Sequence, residues 1–390
     1  MTKPIKSLSQ FGEGAKYHHQ GYQVPGISAL RETGGVFEKN GVRFHFPRHF
    51  GFCYGVGRAI DMVFETLERF KDRRVFLTDE LIHNPYINGK LREKQVRTLS
   101  RNAENLLDCS ELREGDVVVI SAFGTDFRDV ERLNERKVVL VDTTCGAILN
   151  VWKRVEGYAK SGWITVMHGK RRHEETRATV SRALREGGAY LILENPAEAR
   201  ELADVILGKT SEADYIAGHP GFFSPDFTFH VLDCKMGMAN QTTMATEESL
   251  MIQTILREAF AARFGVQSAE GRFKSYETIC SATQDRQDAL KLLLKERLDL
   301  VVIVGGFNSS NTAHLAEIAS GLAPLYHIES AADLISPEEI RARNPKTGKV
   351  GIERRWIAAG IRDIGIASGA STPDLLLAEV LEKIASFISL

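Results

Sequence analysis

The chain has 390 residues, 43% of them hydrophobic and 26% charged, with a formal net charge of −1 at pH 7. That length exceeds what one core comfortably serves, so two or three domains are expected. The near-neutral charge gives no support to a nucleic-acid binder, and no stretch approaches the roughly 20 uninterrupted apolar residues of a membrane span.

Residues 1–41 are polar and glycine-bearing, with no convincing period and no apolar signal-peptide core, and are expected to wrap or cap the body. From Val42 onward, strand-like runs alternate with helix-like ones, the pattern of α/β layers with largely parallel sheets. Strands are predicted at 75–78, 117–121, 138–142, 163–167, 191–193, 300–304 and 364–367. Ile60, Val63, Phe64, Leu67 and Phe70 recur on one helical face, with Arg58, Asp61, Glu65, Glu68 and Arg69 elsewhere. Ile148, Val151, Trp152, Val155 and Tyr158 make a second such stripe, and SATQDRQDALKLLLKERLD reads as a third helix. Residues 333–359 are charged and Pro/Gly-punctuated, and are expected to be a surface insertion.

A cysteine precedes each of these three helices and follows a short extended run: Cys53 (HFGFCYGVGRA), Cys145 (VVLVDTTCGA) and Cys280 (YETICSAT). A thiol at a strand-to-helix junction feels the positive end of the helix dipole, which favours the thiolate that metals require. The three lie 92 and 135 residues apart, and their surroundings share almost no identity. Lobes at 42–145, 146–277 and 278–390 therefore follow from organisation alone. Three thiolates on one centre would leave one iron of a cubic iron–sulfur cluster without a protein ligand, as catalytic zinc sites keep an open position. Structural zinc is a competitor, although it usually uses close-set pairs such as C-x-x-C. Cys109 and Cys234 have no distinctive context and read as small buried hydrophobes. An odd, widely spaced set of five does not resemble a secreted disulfide framework and points to a reducing cytoplasm.

Two loops could hold an anion. VVIVGGFNSSNTAHLAEIA and GIASGASTPDLLLAEVLEKI each pass from an apolar strand through a Gly/Ser loop into a helix, with Pro373 suited to a first helical turn. Ser309, Ser310, Asn311 and Ser371 are candidates for hydrogen bonds to a diphosphate at a helix N-terminus; ordinary helix capping is the competing reading. Neither loop is a Walker motif. His83 (ELIHNPYIN) and His173 (HGKRRHEETRAT) sit in polar, turn-like stretches, where a diphosphate would hold an imidazole as a cation. Glu175 lies two residues beyond His173, so an anchor and a proton-handling carboxylate share one loop. Lys170, Arg171 and Arg172 read as solvated surface, and NQTTM offers the hydroxyls of Thr242 and Thr243. On the residues alone, a redox-sensing or cluster-carrying protein without a substrate and a zinc-stabilised binding module stay open. The first leaves the HEET and SGASTPD loops without a purpose, and the second would be colourless.

GFCYGV, IHN, DTTC, HGK…HEET, NQTTM, TIC.ATQ.RQ, GG.NSSNT and SGASTPD occur in this order over residues 42–390. Together they resemble the LytB/IspH family of 4-hydroxy-3-methylbut-2-enyl diphosphate reductases, in its plastid/cyanobacterial branch. The resemblance implies a monomer of three pseudo-symmetric α/β lobes around a central [4Fe–4S] cluster. It makes Cys53, Cys145 and Cys280 the cluster ligands, and His83, His173, Ser309, Ser310, Asn311 and Ser371 the diphosphate ligands. Glu175 would deliver protons to the substrate hydroxyl, with Thr242 helping to hold that hydroxyl or a water. The implied reaction is reductive dehydroxylation to isopentenyl and dimethylallyl diphosphates in the methylerythritol phosphate pathway, with ferredoxin or flavodoxin as electron donor. One departure is SAFGTDF, where Phe123 stands in place of a diphosphate-binding histidine of short bacterial members. Lys170 is a candidate substitute.

Overall fold

The computed structural model describes residues 3–388 apart from Glu13, Glu32 and Phe229. It divides into two compact units, each assembled from discontinuous segments. One holds Phe76–Asp79 and Thr98–Cys280 with the residues up to Pro4; the other holds Ile5–Val75, Glu80–Arg97 and Ser281–Leu390. The switch at Cys280 falls beside the expected boundary at 278. Residue 145, by contrast, lies inside the first unit. No helix among the described residues is long and apolar enough to cross a membrane.

The first unit contains two four-stranded sheets. In one, Val117–Ile120 and Val139–Asp142 run parallel, next to Val75–Leu77 and Arg97–Thr98, which overlap the edge of the unit. The other is all parallel, in the order Phe273–Ser275, Met236–Asn240, Ile164–His168, Tyr190–Leu193. Successive strand residues point to opposite faces, and both faces of this sheet are covered. Val166, Leu191 and Met238 pack with Leu202, Ile206, Ile252, Leu256 and Phe260 of the helices Pro196–Ile206 and Thr246–Phe264. Met167, Ile192 and Ala239 pack with Val151, Val155, Val180 and Ala183 of Gly146–Lys160 and Glu174–Arg185.

All seven predicted strands are present within a residue or so of their expected ends, and Met236–Asn240 is one of several additions. Its sequence, MGMAN, lacks β-branched residues and carries a glycine, so propensity argues against it. Packing explains the glycine: a Cβ at Gly237 would lie 2.4 Å from ring atoms of Tyr158. Gly237→Ala should therefore cost roughly 1–3 kcal/mol, the usual scale of overpacking. Thermal unfolding checks this, and an unchanged midpoint would mean that the ring yields.

The second unit is built on a seven-stranded sheet in the order Gly35–Lys39, Val42–Phe46, Asp363–Ser368, Leu300–Val304, Leu325–Ile328, Glu339–Arg343, Val350–Arg354. The four central strands are parallel, and a hairpin closes each edge. Alternation again separates two cores. Val302, Val304, Ile364 and Ile366 meet Leu377, Val380, Leu381 and Ile384 of Asp374–Ile388. Val301, Ile303 and Ala367 meet Leu290, Leu293, Leu315 and Ala316 of Ser281–Leu293 and Ser310–Ala319.

Three expectations need correction. Val42–Phe46 does not open a lobe ending at 145; it pairs with Asp363–Ser368 near the other end of the chain. The 333–359 stretch is not merely a surface insertion. Its hairpin forms one edge of the sheet, and Trp356 is buried in the core, donating its indole N–H to Ser336 O at 2.9 Å. Finally, the polar face of Tyr54–Arg69 does not meet water throughout, because Asp61 and Glu65 are buried. The N-terminal segment covers them: the backbone N–H of His19 donates to Asp61 at 2.8 Å, and that of Lys16 to Glu65 at 3.3 Å.

Candidate active site

In the second unit, the parallel neighbours Asp363–Ser368 and Leu300–Val304 both end in a Gly/Ser loop that turns into a helix. Open α/β sheets bind ligands outside the carboxyl ends of their strands, where helix N-termini expose N–H groups to anions. Ser309 caps Ser310–Ala319, its hydroxyl accepting from Thr312 N–H at 3.3 Å. Asn311 braces the two loops together: its amide donates to Thr283 Oγ1 at 3.1 Å, and its oxygen accepts from Ala370 N–H at 3.0 Å. One amide hydrogen and one lone pair remain beyond these bonds. Ser310 and Ser371 are buried beside them.

The His83 turn packs onto the same loops. Ser371 Oγ donates to His83 O at 3.1 Å, and a Cβ on Gly306 would lie 2.6 Å from that oxygen. Glu80 Oε2 lies 3.3 Å from His83 Nδ1 and accepts from Asn308 Nδ2 at 2.8 Å. Burial pushes the Glu80 carboxyl up, but hydrogen bonds from His83 and Asn308 outweigh it and hold the group below its ordinary pKa. Asn308 Nδ2 also lies 3.2 Å from His83 Nδ1, so Glu80 and Asn308 together fix the position of the ring. Sequence reasoning overlooked Glu80 and Asn308, although one lies three residues before His83 and the other inside the serine loop.

Cys53 is the N-cap of Tyr54–Arg69, and its backbone N–H donates to Ala370 O at 3.1 Å, which ties it to the SGASTPD loop. A cavity of about 250 Å³ lies beside it, lined by His19, Tyr22, Arg31, Tyr54 and Asp61 among others.

The first unit carries the remaining candidates. Cys145 is the N-cap of Gly146–Lys160, its N–H donating to Ala122 O at 3.0 Å. The next residue, Phe123, meets the His173 ring edge-on, with centroids 5.4 Å apart. His173 is the N-cap of Glu174–Arg185, and its Nδ1 accepts the Glu175 N–H at 3.1 Å. In this arrangement Nδ1 is taken up by the helix cap, which leaves Nε2 as the ring nitrogen that can face a ligand.

Glu175 is buried, and burial pushes its carboxyl up to about 7, against two hydrogen bonds from Thr242 that lower it. Thr242 N–H reaches Oε1 at 2.5 Å and Thr242 Oγ1 reaches Oε2 at 3.0 Å. The carbonyl of the same Thr242 accepts the Cys280 N–H at 3.1 Å. One threonine thus joins a carboxyl poised near neutrality to a candidate metal ligand. Gln241, overlooked in the sequence, anchors this turn by accepting from Lys170 N–H and Thr176 Oγ1 at 3.0 and 3.1 Å. Its neighbour Thr243 bonds to Gln241 Nε2 at 2.9 Å. Arg171 is not simply solvated: it is half-buried, pairs with Glu194 and Glu198 and lies 3.8 Å over the Phe222 ring.

The five thiols divide into two sorts. Cys109 and Cys234 are buried, and burial pushes both thiols up, Cys234 to about 12. Cys53, Cys145 and Cys280 are half-buried, outside any disulfide, and have backbone N–H groups bonded to loop carbonyls. Three accessible thiols at chain turns fit the donor set of a three-cysteine metal centre.

Comparison with known proteins gives a consistent result. Residues 45–385 match the family model described as LytB protein. The 4-hydroxy-3-methylbut-2-enyl diphosphate reductase of Thermosynechococcus vestitus is 40% identical over 379 residues, covering 96% of this chain and 92% of that protein. The Synechocystis protein of the same name is 40% identical over 370 residues, covering 93% and 94%. Among solved structures, that of an (E)-4-hydroxy-3-methyl-but-2-enyl diphosphate reductase, described as the terminal enzyme of the non-mevalonate pathway, is 27% identical with a TM-score of 0.53. It covers 87% of this chain and 98% of that one. A Plasmodium falciparum reductase structure, 21% identical with a TM-score of 0.64, covers 87% of this chain and 86% of that one and shares the fold.

Proposed function

We propose that this chain, which belongs to the LytB protein family, is a 4-hydroxy-3-methylbut-2-enyl diphosphate reductase. The reaction is C–O cleavage at an allylic alcohol. Two electrons and two protons enter; one proton leaves with the hydroxyl oxygen as water, and the other goes to carbon at either end of the allylic system. Those two ends correspond to isopentenyl and dimethylallyl diphosphates. The observation that carries the reading is the buried Glu175, poised near pH 7 and held by Thr242 next to Cys280. A protein that only stored a cluster would have no use for a buried proton donor.

In this reading Cys53, Cys145 and Cys280 hold a [4Fe–4S] cluster in a monomeric, cytoplasmic enzyme. When bound, the cluster would supply electrons singly and an iron with no protein ligand to polarise the hydroxyl. His83, His173, Ser309, Ser310, Asn311 and Ser371 hold the diphosphate, with His173 offering its Nε2. Glu175 protonates the departing oxygen, and Thr242 orients it. Electrons come from a ferredoxin or flavodoxin. Anaerobic reconstitution with iron and sulfide, followed by an assay with a chemical reductant, tests the proposal. A brown protein that turns over the substrate supports it, and a colourless zinc protein overturns it.

Glu80 should matter for binding. Glu80→Gln removes the anion that lies against His83 Nδ1 and helps to hold the ring, so KM for the diphosphate substrate should rise about tenfold, the scale of one charge-assisted hydrogen bond. Steady-state kinetics check it: a drop in kcat with KM unchanged would contradict a positioning role in binding.

A further inference from the structure

The proposed reaction needs reducing equivalents from outside the chain. One face of the first unit is suited to admit them. Its centre is a row of three aromatic rings: Trp163 stacks on Tyr158, and Tyr158 meets Tyr276, both at 6.2 Å between centroids. Trp163 and Tyr158 are nearly buried, whereas Tyr276 is 41% exposed.

Cations from three elements gather on this row. The Arg154 guanidinium lies 4.3 Å over the Tyr276 ring, and Lys274 Nζ and Lys235 Nζ lie 4.7 and 6.0 Å from the Trp163 ring. All three side chains are exposed. None forms an ion pair among the described residues, and neither does Glu277, the exposed carboxylate next to Tyr276. Cations near aromatic rings are common. A lysine on an edge strand such as Phe273–Ser275 also has the ordinary task of blocking strand pairing. That task accounts for Lys274. It does not account for Lys235, Arg154 and an exposed tyrosine converging from other elements in a chain of net charge −1.

Position gives the face its meaning. The helix that carries Arg154 and Tyr158 is capped by Cys145, about 14 Å along its axis from Arg154 and about 20 Å from Tyr158. The segment that carries Tyr276 reaches Cys280 four residues later. Two of the three proposed cluster ligands are therefore the chain ends of the elements that build this face. Resting on the reductase reading, we propose that the face of Arg154, Lys235, Lys274 and Tyr276 is the docking surface for a small acidic electron-carrier protein of the iron–sulfur or flavin class. Opposite charge steers such encounters, and a flat exposed ring suits a brief, weak contact.

The test uses the reconstituted enzyme, a plant-type [2Fe–2S] ferredoxin and a flavodoxin. Calorimetric titration of each carrier measures binding directly, without turnover. Carrier-supported and dithionite–viologen-supported rates are then compared in R154E/K274E and in Y276S. At least one carrier should bind the parent protein and lose affinity about tenfold in the charge-reversed variant, with binding that weakens as salt rises. The viologen-supported rate should stay at the parent level in both variants. Equal carrier affinity in parent and R154E/K274E overturns the proposal. So does an equal loss of affinity for heparin, which would reduce the face to a general polyanion patch. If the viologen-supported rate is absent in the parent protein, the reductase reading fails, while the titrations still decide the docking surface.

Discussion

Cys145→Ser is expected to yield a folded protein that reconstitutes without stable near-ultraviolet and visible absorption and shows no turnover. The serine hydroxyl keeps the size of the thiol, and the backbone N–H bond to Ala122 survives, so the helix Gly146–Lys160 should form unchanged. What is lost is a soft thiolate, for which a hydroxyl is a poor substitute toward iron. Cys53→Ser and Cys280→Ser should behave alike, because no spare thiol can step in. Cys109 and Cys234 are buried, with thiols pushed up by burial, and Cys109→Ser should therefore reconstitute as the parent protein does. Absorption spectra and iron analysis of the four variants suffice. Turnover in Cys145→Ser, or colour lost in Cys109→Ser, would show that the ligands were misassigned.

Glu175→Gln is expected to bind substrate and cluster normally while turnover falls on the order of a hundredfold or more, the scale of lost general acid catalysis. Parent-like rates in this variant would remove Glu175 from the proton path. The pH dependence carries a second signature. With its pKa raised to about 7 by burial, Glu175 is largely protonated below neutrality and ionised above it. The parent kcat should accordingly fall as pH rises through 7, and the glutamine variant should lose that limb.

Stability should move the other way. A carboxyl whose folded pKa lies above its unfolded value of 4.5 costs nothing at low pH, and its penalty grows as pH climbs from 4.5 to about 7. Above that the loss is on the order of 3 kcal/mol, so Glu175→Gln should unfold later than the parent at pH 8 and not at pH 4. Thermal scans at the two pH values check the raised pKa, and no gain at pH 8 would show that Glu175 is not shifted.

Much of this was legible in the chain itself. Strands such as Leu300–Val304 announce themselves as unbroken apolar runs, because a parallel sheet covered on both faces tolerates nothing else. The helices Tyr54–Arg69 and Gly146–Lys160 show their apolar stripes at helical spacing, and the residues before them, Cys53 and Cys145, are N-caps. Local order thus placed the thiols at junctions, and the motif order placed Glu175 beside His173.

Other features depend on partners distant in sequence. MGMAN becomes a buried strand because Gly237 admits the Tyr158 ring, a contact no local propensity encodes. Asp61 and Glu65 leave solvent only because residues 16–19 lie over them. Which ring nitrogen of His173 is free is decided by one N–H from Glu175, and the acidity of Glu175 by burial against Thr242. Residue types and their spacing determine which elements form and which chemistry is on offer, since those follow from backbone sterics and periodicity. Protonation states, hydrogen-bond partners and register follow from local dielectric and close packing, and these exist only once remote segments have met.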